Sequence, residues 1–130
     1  MAELDVESIG KISTTTLDVT STGATTLYTV PTGYRFIPHC AVVVCGSAAS
    51  TTAIITFGQV GALTDFLGSR TMTNLAAQYD AVICMPIPNA TPIKIKSYAA
   101  ATVFQVNVGT ADADGMTDGT VHLYGTIHAV

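Results

Sequence analysis

The chain has 130 residues, of which 48% are hydrophobic and only 11% are charged, and its formal net charge is −4. This length suits a single domain with its own core. The five basic residues are scattered, so no basic stripe can contact phosphates, and nucleic-acid binding is not expected. No apolar run approaches the roughly 20 residues of a membrane-spanning helix, so no membrane partner is expected either.

The low charge also bears on what the surface contacts. Charged residues make up roughly 25% of typical soluble domains, and the cores of protein interfaces are depleted of them. Thr, Ser, Ala and Gly fill the remaining positions, and these residues can face water or be buried against a partner. We therefore expect a subunit of a larger assembly, with a Thr-rich secreted β domain as the alternative.

The first segment, residues 1–11, is acidic and offers little to bury. We predict an N-terminal arm over residues 1–11, followed by one β domain over residues 12–130. Such an arm is often ordered only against a partner, and we expect this one to reach a neighbouring subunit. It lacks the basic start and apolar centre of a secretory signal, which favours synthesis in the cytoplasm.

The next stretch contains three β-prone runs, over residues 12–19, 26–30 and 34–45. Val30-Pro31-Thr32-Gly33 joins the second run to the third and fits a type I turn, with Pro31 at its second position and Gly33 at its fourth. In the third run, alternation predicts one pleat face with Tyr34, Phe36, Cys40, Val42 and Val44, and another with Ile37, Ala41 and Val43. A strand that is apolar on both faces must be covered on both, by its own domain or by a neighbour.

The rest of the chain continues with short runs separated by turn signals. Residues 61–77 are predicted to be a loop with at most a short strand near 69–73, and residues 109–119 a polar hairpin turn. Further strands are predicted over residues 53–59 (covered on both faces), 79–85 (ended by Pro86), 92–98, 102–108 and 120–129. About eight short strands without helical periodicity predict an all-β fold, a single-domain β-sandwich that is jelly-roll-like.

Residues that bear chemistry do not form a recognisable site. Asp112, Asp114 and Asp118 lack the glycine and glutamate spacing of an EF-hand, so a turn is the better interpretation. His39 and Cys40 point to opposite faces of one strand, and Cys45 and Cys84 match no usual zinc spacing. No nucleophile elbow or glycine-rich phosphate loop is present. We expect no catalytic residue, no metal, no cofactor and no enzymatic activity, and we expect buried free thiols.

The sequence TTLYTVPTGYRFIPHCAVVV, residues 25–44, carries a resemblance to a known class. It is similar to the T-x-L-Y-T-V-P-x-G-x-R-F opening of small virion proteins of tailed bacteriophages, and residues 120–127, TVHLYGTI, resemble their last strand. The chain most resembles capsid decoration (cement) proteins. The resemblance implies a β-sandwich, a homotrimer, and binding to the major capsid protein on the outer surface of the virion head. It brings no catalytic residue with it.

Two groups of residues are the predicted contacts of such a protein. They are Glu3, Asp5 and Glu7 in the arm, and Tyr34, Arg35 and Phe36 at the start of the long strand. The alternative function is another virion structural subunit, of the tail, fibre or neck, with binding of host glycans. The five tyrosines would then form a sugar-stacking platform, although tyrosines packed at sheet margins are the more ordinary arrangement.

Overall fold

The computed structural model describes residues 9–87 and 96–130. In these two ranges the chain forms eight strands and no helix: β1 (Gly10–Leu17), β2 (Gly23–Thr29), β3 (Tyr34–Val44), β4 (Ile54–Gln59), β5 (Ala62–Thr71), β6 (Ala81–Cys84), β7 (Val103–Thr110) and β8 (Gly119–Ala129). Within the described part of the chain, no helix is long and apolar enough to span a membrane.

The strands form two four-stranded antiparallel sheets. The first sheet has the order β1-β8-β3-β6, and the second has the order β2-β7-β4-β5. Consecutive strands pass from one sheet to the other, except that β4 and β5 form a hairpin within the second. This is the strand order of a double-sheet jelly roll. The prediction of an all-β, jelly-roll-like sandwich of about eight strands is confirmed.

The core lies between the two sheets and is built around aromatic rings. Phe104 packs edge-on against Phe36 and Phe66, with ring centroids 6.1 and 5.4 Å apart, and stacks on Phe57 at 6.5 Å. Phe36 comes from the first sheet and the other three come from the second, so the cluster joins the two layers. In β8 the residues on the inner face are buried, as the alternation of residues 120–129 predicts.

The turn before β3 differs from the predicted type I turn. The Tyr34 N–H donates to the Pro31 carbonyl at 3.2 Å, so the four-residue turn is Pro31 to Tyr34, one residue later than predicted. Gly33 then occupies the third position, with φ +85°. A positive φ at that position alone is the signature of a type II turn, which favours glycine there.

A β-bulge in β3 corrects the predicted faces of this strand. The pairing of β3 with β8 shifts register between Pro38 and Cys40. Phe36 therefore faces the core before the bulge, but Ala41 and Val43 face it afterwards, and all three are fully buried. The extra residue of a bulge inverts the alternation downstream. Phe36 does not share a face with Val42 and Val44 as predicted; these two valines lie on the outer face and are half-buried.

The second sheet confirms one expectation and corrects another. In β4, Ile55, Thr56 and Phe57 are all buried, so this strand is covered on both faces as predicted. The segment predicted as a loop over residues 61–77 contains the ten-residue strand β5. Asp65 and Gly68 suggested a loop, but β5 pairs with β4 through two register irregularities that accommodate them.

The remaining predictions have mixed outcomes. The strand predicted over residues 79–85 has its regular part at β6. The strand predicted over residues 92–98 lies largely outside the described residues, and Tyr98 forms an isolated bridge with Phe36. Residues 109–119 are not a hairpin, because β7 and β8 belong to different sheets. β1 begins at Gly10, within the predicted arm 1–11, and residues 1–8 of that arm lie outside the described ranges.

Candidate interaction surface

Exposed hydrophobic side chains concentrate in one short stretch of the chain. In the described ranges, seven large hydrophobic residues are exposed, and four of them lie within residues 79–87. These are Tyr79, Ile83, Met85 and Ile87, with exposed fractions of 78, 63, 50 and 55%. Contiguous apolar surface of this kind marks protein interaction sites, whereas single exposed hydrophobic residues are ordinary.

The geometry of β6 explains why these side chains face outward. β6 is an edge strand that pairs with β3, and alternation turns Cys84 inward while Ile83 faces outward. Pro86 cannot donate to a ladder, so regular pairing stops there. The Ile87 N–H then donates to the Phe66 carbonyl of the second sheet at 3.3 Å. The segment is therefore joined to the second sheet at Ile87 and keeps one apolar face outside.

The outer face of β3 extends this apolar area. Val42 lies opposite Ile83 in the ladder, and Val44 lies opposite Ala81. Both valines are half-buried and turned outward by the bulge. We name the resulting area the β6 surface, which consists of Val42, Val44, Tyr79, Ala81, Ile83, Met85 and Ile87. None of these residues is charged, although charges and inward-pointing polar groups are the usual protection of a sheet edge.

A groove adjoins the β6 surface where the edge strands β5 and β6 face one another. Its volume is about 360 Å³, and it is lined by Leu67, Arg70, Thr71, Met72, Thr73, Asn74, Val82, Ile83, Cys84, Met85 and Ile87. Arg70 is the single charged residue in this lining, which contains no carboxylate. Its guanidinium donates to the Ser69 carbonyl at 2.8 Å, and it forms no ion pair within residues 9–87 and 96–130. The groove thus combines apolar side chains, most of them from β6 and the residues after it, with uncharged polar side chains and one cation on the β5 side.

The thiol that borders the groove is a packing group. Burial raises the pKa of Cys84 to about 11, although the nearby Arg70 charge acts in the opposite direction. Burial also raises the pKa of Cys45, reinforced by Asp80 and Asp118. Both thiols are therefore protonated at neutral pH, whereas reactive cysteines have depressed pKa values. Cys40, Cys45 and Cys84 are all unpaired, and Cys40 is only half-buried rather than buried as expected.

The three predicted contact residues that the structure describes, Tyr34, Arg35 and Phe36, are not part of this surface. Phe36 is fully buried in the core, so its side chain cannot touch a partner. Arg35 donates to the Ser97 hydroxyl at 2.9 Å and to the Ser97 carbonyl at 2.8 Å, which ties β3 to the segment before β7. Tyr34 is half-buried against the core. Glu3, Asp5 and Glu7 lie outside the described residues.

Asp65 anchors the same segment from the other side. Its carboxylate accepts hydrogen bonds from the Lys96 ammonium and the Tyr98 hydroxyl, each at 2.7 Å, and from the amide group of Gln59 at 2.7 Å. Burial raises the pKa of Asp65, but these hydrogen bonds outweigh it and hold the pKa below its usual value. The hydroxyl of Tyr98 has a raised pKa, because it is buried and faces this carboxylate. The network is structural, and none of its four residues belongs to the groove lining.

The other polar residues singled out from the sequence also serve the fold. Asp118 accepts hydrogen bonds from the Ser47 N–H and hydroxyl, and Asp112 accepts one from the Thr52 N–H. His39 pairs with the Thr126 hydroxyl at 3.1 Å. Among the residues that the structure describes, no three potential metal ligands cluster.

The tyrosines do not converge on one platform. Tyr28 lies on β2 and packs edge-on against Phe36, with ring centroids 5.1 Å apart. Tyr98 is buried, Tyr124 lies on β8 in the other sheet, and Tyr79 belongs to the β6 surface. The tyrosines therefore do not form the sugar-stacking platform predicted for the alternative function.

Sequence reasoning placed a strand at residues 79–85 but did not identify its side chains as an exposed surface. The signal was present in Ala81 to Ile87, AVICMPI, which is apolar on both faces and interrupted by a proline. A proline inside such a run indicates an edge strand. An edge strand that is apolar on both faces presents one of them outward unless another layer covers it.

Comparison with known proteins identifies the fold but no family. No protein-family model matches the chain, and no curated protein matches its sequence. A chain of the cyanophage Pam1 capsid asymmetric unit has the same fold, with a TM-score of 0.60 and 14% sequence identity. The match covers 100% of this chain and 91% of that chain, so the two correspond over their whole lengths.

Proposed function

We propose that this protein is a capsid decoration (cement) protein of a tailed bacteriophage. In this proposal it binds the major capsid protein on the outer surface of the head, acts as a homotrimer, and stabilises the assembled shell. The observation that carries the proposal is the β6 surface, where four large hydrophobic side chains are exposed within nine residues. The likeness over the full length to a chain from a phage capsid supports a structural role in a virion.

The size of the β6 surface favours engagement of several copies together. Completing the burial of its four most exposed side chains, against the shell and the neighbouring copies together, would contribute roughly 4–7 kcal/mol per copy, at about 1.5–3 kcal/mol for a whole side chain. Association costs an estimated 4–15 kcal/mol in lost freedom of motion. One copy would therefore bind weakly. Three linked copies that contact one lattice incur that cost once, and their combined affinity exceeds the affinity of any single contact.

The stabilising action follows from mass action. A protein that binds the assembled shell, and does not bind free capsid subunits, lowers the free energy of the shell alone. This mechanism needs a docking surface and no chemistry. It is consistent with polar networks that serve the fold, such as the one around Asp65, and with an apolar surface at the edge of the sandwich.

The test combines solution mass with capsid binding. We would measure the mass of the purified protein by sedimentation, and then its co-sedimentation with empty expanded capsids of the phage that encodes it. Ile83→Lys places a charge in the β6 surface, and Val60→Lys is the matched control, because Val60 is 60% exposed at the β4–β5 turn. We expect a trimer that pellets with capsids at a saturating ratio, loss of pelleting in Ile83→Lys, and normal pelleting in Val60→Lys.

Two outcomes would count against the proposal. A monomer that stays in the supernatant at all concentrations would exclude a cement function. Binding of wild type to isolated tails or fibres, but not to heads, would favour the alternative of another virion subunit. If Ile83→Lys and Val60→Lys pelleted equally well, heads would be bound through a different surface.

A further inference from the structure

We propose that the acidic arm of one copy, residues 1–8, lies in the groove between β5 and β6 of a second copy. This inference rests on the self-association in the proposed function and identifies the contact that joins the copies. The occupant of the groove is thus a segment of the same chain, supplied in trans. Charge, side-chain alternation and reach each favour this occupant.

Charge complementarity links the two segments. The arm contains Glu3, Asp5 and Glu7 and no basic side chain. The groove has Arg70 as its single charged residue and no carboxylate in its lining. Among the described residues the one ion pair is Lys96–Asp65, so Arg70 has no acidic partner within the described part of its own chain. Complementary potentials of this kind select partners and fix their register.

The alternation of the arm matches a groove with one polar and one apolar side. Glu3, Asp5 and Glu7 occupy odd positions, whereas Ala2, Leu4 and Val6 occupy the even positions between them. In an extended conformation the acids would face one way and the apolar side chains the other. Leu4 and Val6 can then contact Met85 and Ile87, which line the groove, while an acid faces Arg70. Val42, Val44, Tyr79 and Ala81 of the β6 surface lie outside this lining and stay available to the shell. Addition of an extended segment beside an edge strand is a common mode of recognition.

Reach argues for a second copy. The arm leaves the domain at Gly10 of β1, and β1 and β6 are the two opposite edges of the first sheet. Three strand spacings of about 4.8 Å separate these edges, roughly 14 Å in all. Eight extended residues span at most about 28 Å. An arm that crossed its own sheet would keep only about half its length for the groove, whereas the arm of a neighbour could occupy it fully.

Cross-linking between two populations tests the proposal. One population carries Val6→Cys and the other carries Met85→Cys together with a tag that changes its mass. Both populations also carry Cys40→Ser, because Cys40 is a half-buried free thiol. The remaining native thiols, Cys45 and Cys84, are buried and have raised pKa values, so mild oxidation by oxidised glutathione favours the introduced thiols. Seating the arm brings the two thiols to a millimolar effective concentration, and we expect linkage at least about tenfold faster than with Val60→Cys in place of Met85→Cys.

Charge exchange provides an independent measurement. We expect Arg70→Glu to weaken self-association roughly fivefold, as for loss of a partly exposed ion pair. Mixing Arg70→Glu with a Glu3→Lys, Asp5→Lys, Glu7→Lys arm variant should restore association between the two populations.

In the cross-linking experiment, Ile83→Cys replaces Met85→Cys if the latter fails to fold. Linkage within a single chain carrying both cysteines, without linkage between chains, would overturn the proposal, as would linkage no faster than in the Val60→Cys control.

The outcome is separable from that of the proposed function. Capsid binding by the wild-type protein without arm-to-groove linkage would leave the cement function standing and exclude this contact. Linkage between copies without any capsid binding would support the contact and exclude the cement function.

Discussion

Asp65 shows how the side chain of one residue can fix a segment that strand pairing does not fix. It joins β5 to Lys96 and Tyr98, which follow a stretch outside the described residues and precede β7. From the sequence, Asp65 and Gly68 were interpreted as loop residues, because aspartate and glycine are depleted in strands. Tertiary contacts override this preference: four donors satisfy the carboxylate, so it lies within a strand at little cost.

The first prediction concerns this carboxylate. Asp65→Asn should destabilise the protein by about 1–3 kcal/mol, because it replaces a charged acceptor with a group that cannot accept from all four donors. The free energy of unfolding from urea titrations at pH 7 measures the loss. Asp114→Asn is the control, since Asp114 is exposed and forms no hydrogen bond within the described residues. Equal stability of the two variants would contradict the anchoring role.

The pH dependence of the stability that Asp65 contributes gives a second prediction. The pKa of Asp65 is lowered in the folded protein, so its contribution is fully present above the unfolded value of about 3.9. The contribution is lost as the pH falls through the lower, folded pKa. Between about pH 5 and 7, Asp65 is ionised in both the folded and the unfolded protein. We therefore expect the difference in unfolding free energy between wild type and Asp65→Asn to be constant there, at about 1–3 kcal/mol. Below about pH 4 this difference should shrink. A difference that grew on acidification would have the wrong sign.

Gly125 offers a third prediction at the scale of one residue. A Cβ at this position would lie 2.5 Å from the Ile37 carbonyl oxygen and 2.5 Å from the Phe36 ring. Neither neighbour can move freely, so Gly125→Ala should cost about 1–3 kcal/mol through overpacking. Gly68→Ala is the matched strand control, because nothing lies within 4 Å of its Cβ. The midpoints of urea titrations measure the stability of both variants. A Gly125→Ala variant as stable as wild type would show that the neighbouring backbone and ring can move to make room for the Cβ.

At the scale of elements, periodicity predicted where most strands lie but not how each is oriented. The alternation of residues 34–45 was assigned as if the strand were regular. The bulge between Pro38 and Cys40 breaks that rule, and nothing local in the sequence required it. The register is set by contact with β8, a partner about 85 residues away along the chain. The residue pattern within one strand does not predict long-range pairing of this kind.

The bulge leads to a fourth prediction. Val43 is fully buried and Val42 is half-buried on the outer face, although simple alternation from Phe36 predicts Val42 inside. Val43→Ala should therefore cost about 2 kcal/mol, from two lost methyl groups and the cavity left behind. Val42→Ala should cost less than about 1 kcal/mol, since part of that side chain already contacts water. Larger destabilisation by Val42→Ala in urea titrations would place the bulge elsewhere.

At the scale of the whole molecule, the sequence indicated a surface made for contact but not where it lies. Low charge and apolar strands led to the expectation of a subunit, with Tyr34, Arg35 and Phe36 as contacts. The structure places Phe36 in the core, and within the described residues four of the seven exposed large hydrophobic side chains lie in or beside β6. Which face of an apolar strand stays uncovered depends on its position in the sheet. That position follows from the strand order, and strand count alone did not determine it.

The fifth prediction joins this surface to the stability of the head. If the protein binds only the assembled shell, binding stabilises the shell by RT ln(1 + [L]/Kd) per site, where [L] is the free concentration of the protein. The temperature at which heads lose their contents should therefore rise with that concentration. A hundredfold excess over Kd corresponds to about 2.7 kcal/mol per site. Scanning fluorimetry of undecorated heads, with added protein, measures this shift. Ile83→Lys should require a higher concentration for the same shift, while Val60→Lys should match wild type.

The salt dependence of that shift distinguishes the forces involved. In the proposed function the shell is contacted through the β6 surface, which is apolar, and burial of apolar area is not screened by ions. Raising the ionic strength to about 1 M shortens the Debye length to about 3 Å and weakens exposed charge pairs. We expect head stabilisation by preformed trimers to persist at high salt. Loss of stabilisation in salt would mean that charged residues outside the β6 surface, among the few that the chain contains, carry the attachment to the shell.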